Sequence, residues 1–149
     1  MSPVIRLALP TDAADLCAWN AAMARETENL ELDAATLARG VDAVFAQPQR
    51  GFYLVAELDG ATVGGLLVTR EWSDWHASDY WWIQSVYVVP AARQHGVFRA
   101  LYAEVVRRAR IAGAASLRLY VDQANRRAQQ TYALLGMLPS HYAMYEQRL

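Results

Sequence analysis

The stretch from Val86 to Leu101 leaves the chain few choices. Val86-Tyr87-Val88-Val89 is β-branched and aromatic, which favours a strand. Pro90 ends it, because proline brings no N–H to a ladder. A short polar segment containing Gly96 follows. From Val97 the apolar positions 97, 101 and 105 recur four apart, with Phe98 and Tyr102 beside them, so a helix opens there. A strand that turns tightly into a helix aims free backbone N–H groups and the positive helix end at one point. Such a point binds anions, phosphates above all. Gly96 lets the backbone approach a ligand closely, and Arg93 and Arg99 add fixed positive charge.

The rest of the chain can be read around that joint. Val4 to Leu9 predicts a first strand. Pro10-Thr11-Asp12 starts a helix, with Thr11 or Asp12 as its N-cap and Leu16, Trp19 and Met23 on its buried face. An acidic loop, Glu26 to Asn29, ends that pattern. Asp33 can cap a second helix with Leu37, Val41, Val44 and Phe45 as its apolar face. Residues 51–57 read as a strand, Asp59-Gly60 as a hairpin turn, and Thr62 to Thr69 as the returning partner. Gly64-Gly65 in that partner signals close approach of backbone or ligand, and belongs to no dinucleotide or P-loop fingerprint. Arg70 to Asp79 reads as a loop of aromatics and acids. The next strand, Tyr80 to Val89, is long and mostly apolar, as a buried central strand would be. The helix from Val97 ends at Ala112-Gly113. Ser116 to Val121 is a further strand, Asn125 caps a short helix that Gly136 closes, and Met137 to Leu149 predicts one or two terminal strands. No repeat, linker or second domain is visible, so residues 1–149 read as a single domain.

Composition narrows the function. The chain has 149 residues, enough for one core, and no apolar run approaches a membrane span. Residues Met1 to Arg6 lack a signal-peptide pattern, which points to the cytoplasm. The one cysteine, Cys17, excludes an internal disulfide and reads as a buried thiol. The net charge of −1 argues against nucleic acid as a partner. Eight arginines lie between Arg93 and Arg127, whereas acids gather earlier, at Glu26, Glu28, Glu31 and Asp33 and again at Glu71, Asp74 and Asp79. The three histidines lack metal-ligand spacing, so no metal is expected.

Two segments resemble one known family. Arg93-x-x-Gly96-x-Phe98 is similar to the arginine/glutamine-x-x-glycine-x-glycine/alanine loop of the GNAT superfamily of N-acetyltransferases, with Phe98 where glycine or alanine is usual. Asn125-x-x-Ala128-x-x-x-Tyr132-x-x-x-Gly136-Met137 is similar to that family's asparagine-x-x-alanine-x-x-x-tyrosine-x-x-x-glycine-phenylalanine segment. The order of elements also resembles the family's across nearly the whole chain. The resemblance implies a GNAT-like α/β (α+β) domain, with a mixed, mostly antiparallel twisted sheet of six to seven strands flanked by about four helices.

It also implies an activity: transfer of an acetyl group from acetyl-CoA to a primary amine on a small molecule or peptide, by direct attack. The loop of Arg93, Gln94, His95, Gly96, Val97, Phe98 and Arg99 would hold the pyrophosphate. Val86 and Val88 would pair with the pantetheine arm where the fourth strand splays from the fifth, and Asn125 would approach the cofactor. Tyr132 would protonate the departing thiolate as general acid; packing against the sheet is the structural alternative.

The general base is not evident. Gln84 stands where glutamate is common, and an amide takes no proton. Glu26, Glu28, Glu71, Asp74, His76 and His141 are substitutes, each also suited to a solvated surface. For the acceptor side, Glu26, Glu28, Glu71, Trp72 and Gln84 are the candidates. Carboxylates beside aromatics suit a cationic amine, and the tryptophans also suit core or homodimer contacts. The competing class is a non-catalytic CoA- or ligand-binding module that uses Trp72, Trp75, Trp81 and Trp82 as a platform.

Overall fold

The computed structural model describes residues Ser2 to Leu149; Met1 of the N-terminal hexapeptide lies outside them. The chain forms two compact units, one ending at Leu119 and the other spanning Tyr120–Leu149.

The first unit is built on five strands: β1 (Val4–Leu7), β2 (Phe52–Leu58), β3 (Ala61–Ser73), β4 (Ser78–Val88) and β5 (Ser116–Leu119). They lie in sequence order across one sheet. The first three pairings are antiparallel, and β4 to β5 is parallel. A parallel pair needs a crossover, which α3 (Val97–Ala112) supplies. The helices α1 (Ala13–Glu28) and α2 (Ala34–Ala46) join β1 to β2. Asp33 caps α2 as expected, its Oδ2 accepting from Thr36 N at 2.9 Å. Asp12 precedes α1 but does not cap it; its Oδ2 accepts the Leu9 N–H at 2.7 Å, and both its oxygens accept from Arg6.

Alternation along the strands divides the core in two. Leu54, Ala56, Leu66, Val68, Trp81 and Ile83 meet Val97, Leu101, Val105 and Ala109 of α3 on one face. Tyr53 and Val55 meet Leu16 and Trp19 of α1 and Val41 of α2 on the other. Period two in the strands and near-period four in α3 lock these layers together.

The second unit holds α4 (Arg126–Leu134). Asn125 caps it, its Oδ1 accepting from Ala128 N at 3.1 Å, and Gly136 follows at φ +95°. The expected terminal strands do not form: residues 137–149 carry no regular structure. The sheet therefore has five strands, not six or seven. A strand is stable only with a partner, and the second unit contains none; Pro139 also withholds a donor. Leu138 and Tyr145 stand about nine-tenths exposed. A second boundary also shifts. Arg70 to Asp79 is mostly strand rather than loop, with β3 and β4 paired to Ser73↔Ser78 and only residues 74–77 turning. Among the described residues no helix is long and apolar enough to cross a membrane.

Candidate functional site

A break in pairing on β4 sets up the site. β3 and β4 pair in one register from Ser73↔Ser78 to Val68↔Ile83 and in another from Leu67↔Ser85 onward, so Gln84 is the extra residue of a bulge. The bulge inverts the parity of the strand. Trp81 and Ile83 face α3 before it, whereas Val86 and Val88 pack toward α3 after it. The parallel pairing with β5 ends at the same place, at Ile83↔Leu119. Beyond it, residues 84–88 have no β5 partner among the described residues.

The direction of the freed backbone groups follows from alternation. Val89 N donates to Val63 O at 2.9 Å, across to β3. Tyr87 shares that parity, so Val86 and Val88 turn their N–H and C=O groups the other way, to the open edge. The Val88 carbonyl shows this directly by accepting from the Arg93 side chain at 2.9 Å. These are the two residues expected to pair with an extended ligand.

This edge runs into the loop expected to hold an anion. Gly96 begins α3 at φ +76°, and Gln94 before it is also left-handed at +65°. The first backbone bond of α3 runs from Ala100 N to Gly96 O at 3.0 Å, so the N–H groups of the first turn point out of the helix end. Val97 is buried and anchors that turn, while Arg99 is exposed. Phe98 turns its ring toward Tyr102, at 6.3 Å between centroids. His95 Nδ1 lies 2.8 Å from Arg93 O, which makes it the donor and leaves Nε2 outward.

Arg93 differs from expectation. Its guanidinium folds back to Glu26 Oε2 at 2.9 Å and lies over the Tyr87 ring at 5.3 Å. Tyr87 OH donates to the other Glu26 oxygen at 3.0 Å. The Arg93 guanidinium holds the Glu26 carboxyl below the usual carboxylate range; burial first, then the bond to Glu26, pushes the Tyr87 phenol up. Glu26 and Arg93, expected on different ligands, therefore join each other and seam the end of α1 to β4.

The acidic acceptor set does not converge. Glu71 and Trp72 are strand residues opposite Tyr80 and Asp79. Glu71 accepts from Trp82 Nε1 at 2.8 Å and lies 3.8 Å from Arg118. Trp72 is exposed, and so is Glu28 at the end of α1. His76 shares the hairpin end with Ser73 Oγ and Tyr80 OH, at 3.0 and 3.1 Å. Ser78, which closes that end, is ten residues of strand from Val88, roughly 33 Å. Gln84 is exposed and donates to Thr69 Oγ1 at 2.9 Å. Nor do the four tryptophans make one platform: Trp81 is a core residue, edge-on to Phe52 at 5.4 Å.

The sequence reading missed a pocket on the α1 face, beside the bulge. Leu16, Trp19, Asn20 and Met23 line it from α1, Tyr53 from β2, Gly65 and Leu66 from β3, and Ser85 to Tyr87 from β4. Two signals were present in the sequence. Leu16, Trp19, Asn20 and Met23 share one helical face, and Gly65 marked a close approach. That approach is made by Trp19: a Cβ on Gly65 would lie 3.2 Å from its ring and 2.7 Å from the Leu54 carbonyl oxygen. In the second unit, burial raises the Tyr132 phenol above its ordinary value, and Tyr132 O accepts from Met137 N at 3.0 Å.

Known proteins match this arrangement. The model of the acetyltransferase (GNAT) family matches residues 14–137. The crystal structure of a possible acetyltransferase from Clostridium difficile 630 superposes with a TM-score of 0.93 at 34% identity, covering 100% of this chain and 99% of that one. A ribosomal-protein-alanine N-acetyltransferase from Brucella melitensis biovar Abortus 2308 gives 0.78 at 18% identity, covering 99% and 100%. The aminoglycoside N-acetyltransferase AAC(6')-Iy, solved in complex with CoA, gives 0.81 at 16%, covering 99% and 95%. At such identities the last two speak for the fold alone. A comparison with curated proteins gave no match. The bulged fourth strand and the helix it feeds thus sit in a chain that belongs to the acetyltransferase (GNAT) family.

Proposed function

We propose that this protein transfers an acetyl group from acetyl-CoA to a primary amine. One observation carries the reading: a strand edge at Val86 and Val88 that has no β5 partner among the described residues leads into the N-terminus of α3 at Gly96. An extended pantetheine arm would add to that edge as a strand adds to a sheet. The pyrophosphate that follows it would meet the Gly96–Arg99 backbone and the positive helix end. The presence of CoA in a related fold supports a CoA thioester as donor.

In the reaction the amine lone pair attacks the thioester carbonyl carbon and a C–N bond forms. The oxygen gains negative charge, which an outward N–H near Val88 would stabilise. The carbonyl then re-forms as the C–S bond breaks with its electrons on sulfur; the Tyr132 phenol supplies the proton to sulfur, and the proton released from the new amide nitrogen to water restores the phenol. A phenol kept above its ordinary pKa by burial stays protonated at neutral pH, as an acid must. Two of the carboxylates expected at the acceptor, Glu26 and Glu71, already serve Arg93, Tyr87, Trp82 and Arg118.

The test is Tyr132→Phe. It keeps the ring and should bind acetyl-CoA with nearly unchanged affinity while kcat falls by about 10² or more. Full turnover in the folded variant makes Tyr132 a packing residue. A wild type that binds CoA yet acetylates no amine supports the non-catalytic reading.

A further inference from the structure

The side chain of Arg93 doubles back on its own strand. Pro90 opens a short 3-10 turn that closes at Ala92, and Arg93 follows it in extended backbone, its N–H donating to Pro90 O at 3.2 Å. The turn returns the chain to the end of β4, where Arg93 Nε donates to the Val88 carbonyl at 2.9 Å. That carbonyl faces the edge of β4 that has no β5 partner among the described residues. Two further contacts hold the guanidinium there. Arg93 Nη2 donates to Glu26 Oε2 at 2.9 Å, and the guanidinium carbon lies over the Tyr87 ring at 5.3 Å. Tyr87 OH donates in turn to Glu26 Oε1 at 3.0 Å. The contacts close a circuit: Tyr87 fixes the Glu26 carboxylate, Glu26 fixes Arg93, and Arg93 covers the carbonyl of the residue after Tyr87.

Magnitude separates a brace from a latch. The Arg93 and Glu26 side chains are 44% and 42% exposed. An ion pair so open to water shifts an equilibrium by a factor of only about two to five. Such a pair holds a side chain in place but yields to a better partner. The competing partners are close. An extended ligand adding to the edge needs the place that Arg93 Nε takes at Val88 O. A phosphate at the start of α3, three residues on at Gly96, offers the guanidinium a charged, bidentate acceptor in exchange for a carbonyl.

Resting on the transferase reading above, we infer that Arg93 is a latch across the donor edge, and that Glu26 is the positioning residue that sets how hard the latch is to open. Closed, the guanidinium caps Val88. Open, it leaves Val88 O and Glu26 together. Val88 O then takes an amide N–H of the pantetheine arm, and the guanidinium turns to the pyrophosphate. Glu26 keeps the Tyr87 hydroxyl, so its carboxylate is not left bare. The donor's apparent affinity is its intrinsic affinity reduced by the fraction of molecules with the latch open. Glu26 therefore weakens donor binding without touching the donor.

The experiment is calorimetry of the full chain with CoA and with pantetheine, which lacks every phosphate. Glu26→Gln keeps the shape and removes the charge, and should tighten both ligands about two- to fivefold. Arg93→Ala removes the cap and the cation together. Pantetheine should then bind about two- to fivefold more tightly, and CoA more weakly than to wild type. With Arg93→Ala already in place, Glu26→Gln should leave pantetheine unchanged and move CoA by less than about twofold, the residue of deleting one negative charge. Tyr87→Phe keeps the ring under Arg93 and loosens Glu26. It should tighten both ligands by a smaller factor, and it replaces Glu26→Gln if thermal melts show that variant unfolded. Unchanged or weaker binding of CoA to Glu26→Gln overturns the latch, and the CoA arms decide this without the pantetheine ones. Pantetheine affinity unchanged in Arg93→Ala makes Arg93 a phosphate ligand alone, and reduced affinity makes it a brace; both overturn the inference. So does a gain from Glu26→Gln that is as large without Arg93. A wild type that binds neither ligand overturns the donor site of the transferase reading and takes the latch with it.

Discussion

Gly96 adopts φ +76°, and a Cβ built there would meet nothing within 4 Å. The glycine is thus required by backbone conformation and not by crowding. A β-branched residue in the left-handed region costs about 1–2 kcal/mol and strains the loop. Gly96→Val should therefore fold with a lower denaturation midpoint and bind acetyl-CoA more weakly by calorimetry. Unchanged affinity in the folded variant removes the loop from the cofactor site. Gly65 presents the opposite case. Its φ is ordinary, but a Cβ would sit 2.7 Å from a backbone oxygen. Gly65→Ala must push β3, β2 or Trp19 aside, which costs roughly 1–3 kcal/mol in a packed core and is read by urea denaturation. A loss within error would mean that Trp19 moves freely, and the wall of the pocket with it.

The bulge on β4 is the element on which the site depends. One extra residue, Gln84, turns Val86 and Val88 toward α3 and leaves Ser85 and Tyr87 to line the pocket on the α1 face. The same strand therefore has an edge without a β5 partner among the described residues and one face that lines the pocket. Behind it, α3 holds the strand by Leu101 and Val105, both with no exposed surface. Leu101→Ala should cost about 3 kcal/mol, transfer and cavity together. Arg107, on the outer side of the same helix, pairs with Glu104 and is more than half exposed. Arg107→Ala should change stability by less than about 0.5 kcal/mol. Equal losses from the two would contradict this account of which face α3 buries.

Across the first unit, one ion cluster ties distant parts of the chain. Arg6 on β1 donates to Glu57 on β2 at 2.7 Å and to Asp12 before α1 at 2.8 Å. Asp12 is one of the few buried charged residues, and the Arg6 bond, helped by the Leu9 N–H, holds its carboxyl below the usual range against the opposing effect of burial. A carboxyl depressed in the folded state contributes stability that is fully present above its unfolded pKa, near 4, and is lost as pH falls through the folded value. Stability should therefore drop below about pH 4, and Asp12→Asn should flatten that acid limb while lowering stability at pH 7. Asp12→Ala at neutral pH should cost about 3 kcal/mol, since it leaves Arg6 half-paired. An acid limb identical in wild type and Asp12→Asn would assign it to other carboxylates.

Local rules made much of this protein legible in its sequence. Pro90, Gly96 and the spacing of Val97, Leu101 and Val105 determined the joint of β4 and α3, because a missing donor, a left-handed residue and an apolar stripe act within a few residues. Asp33 and Asn125 announced their helices for the same reason. What no local rule reaches is pairing. Arg70 to Ser73 looked like loop because charged and aromatic residues crowd it; the partner strand made it β. Met137 to Leu149 looked like strand and found no partner. The shift of register at Gln84, the union of Glu26 with Arg93, and the apolar pocket under Trp19 all arise between residues far apart in the chain. Those contacts exist only when a third element brings their partners together, so only the tertiary structure could decide them.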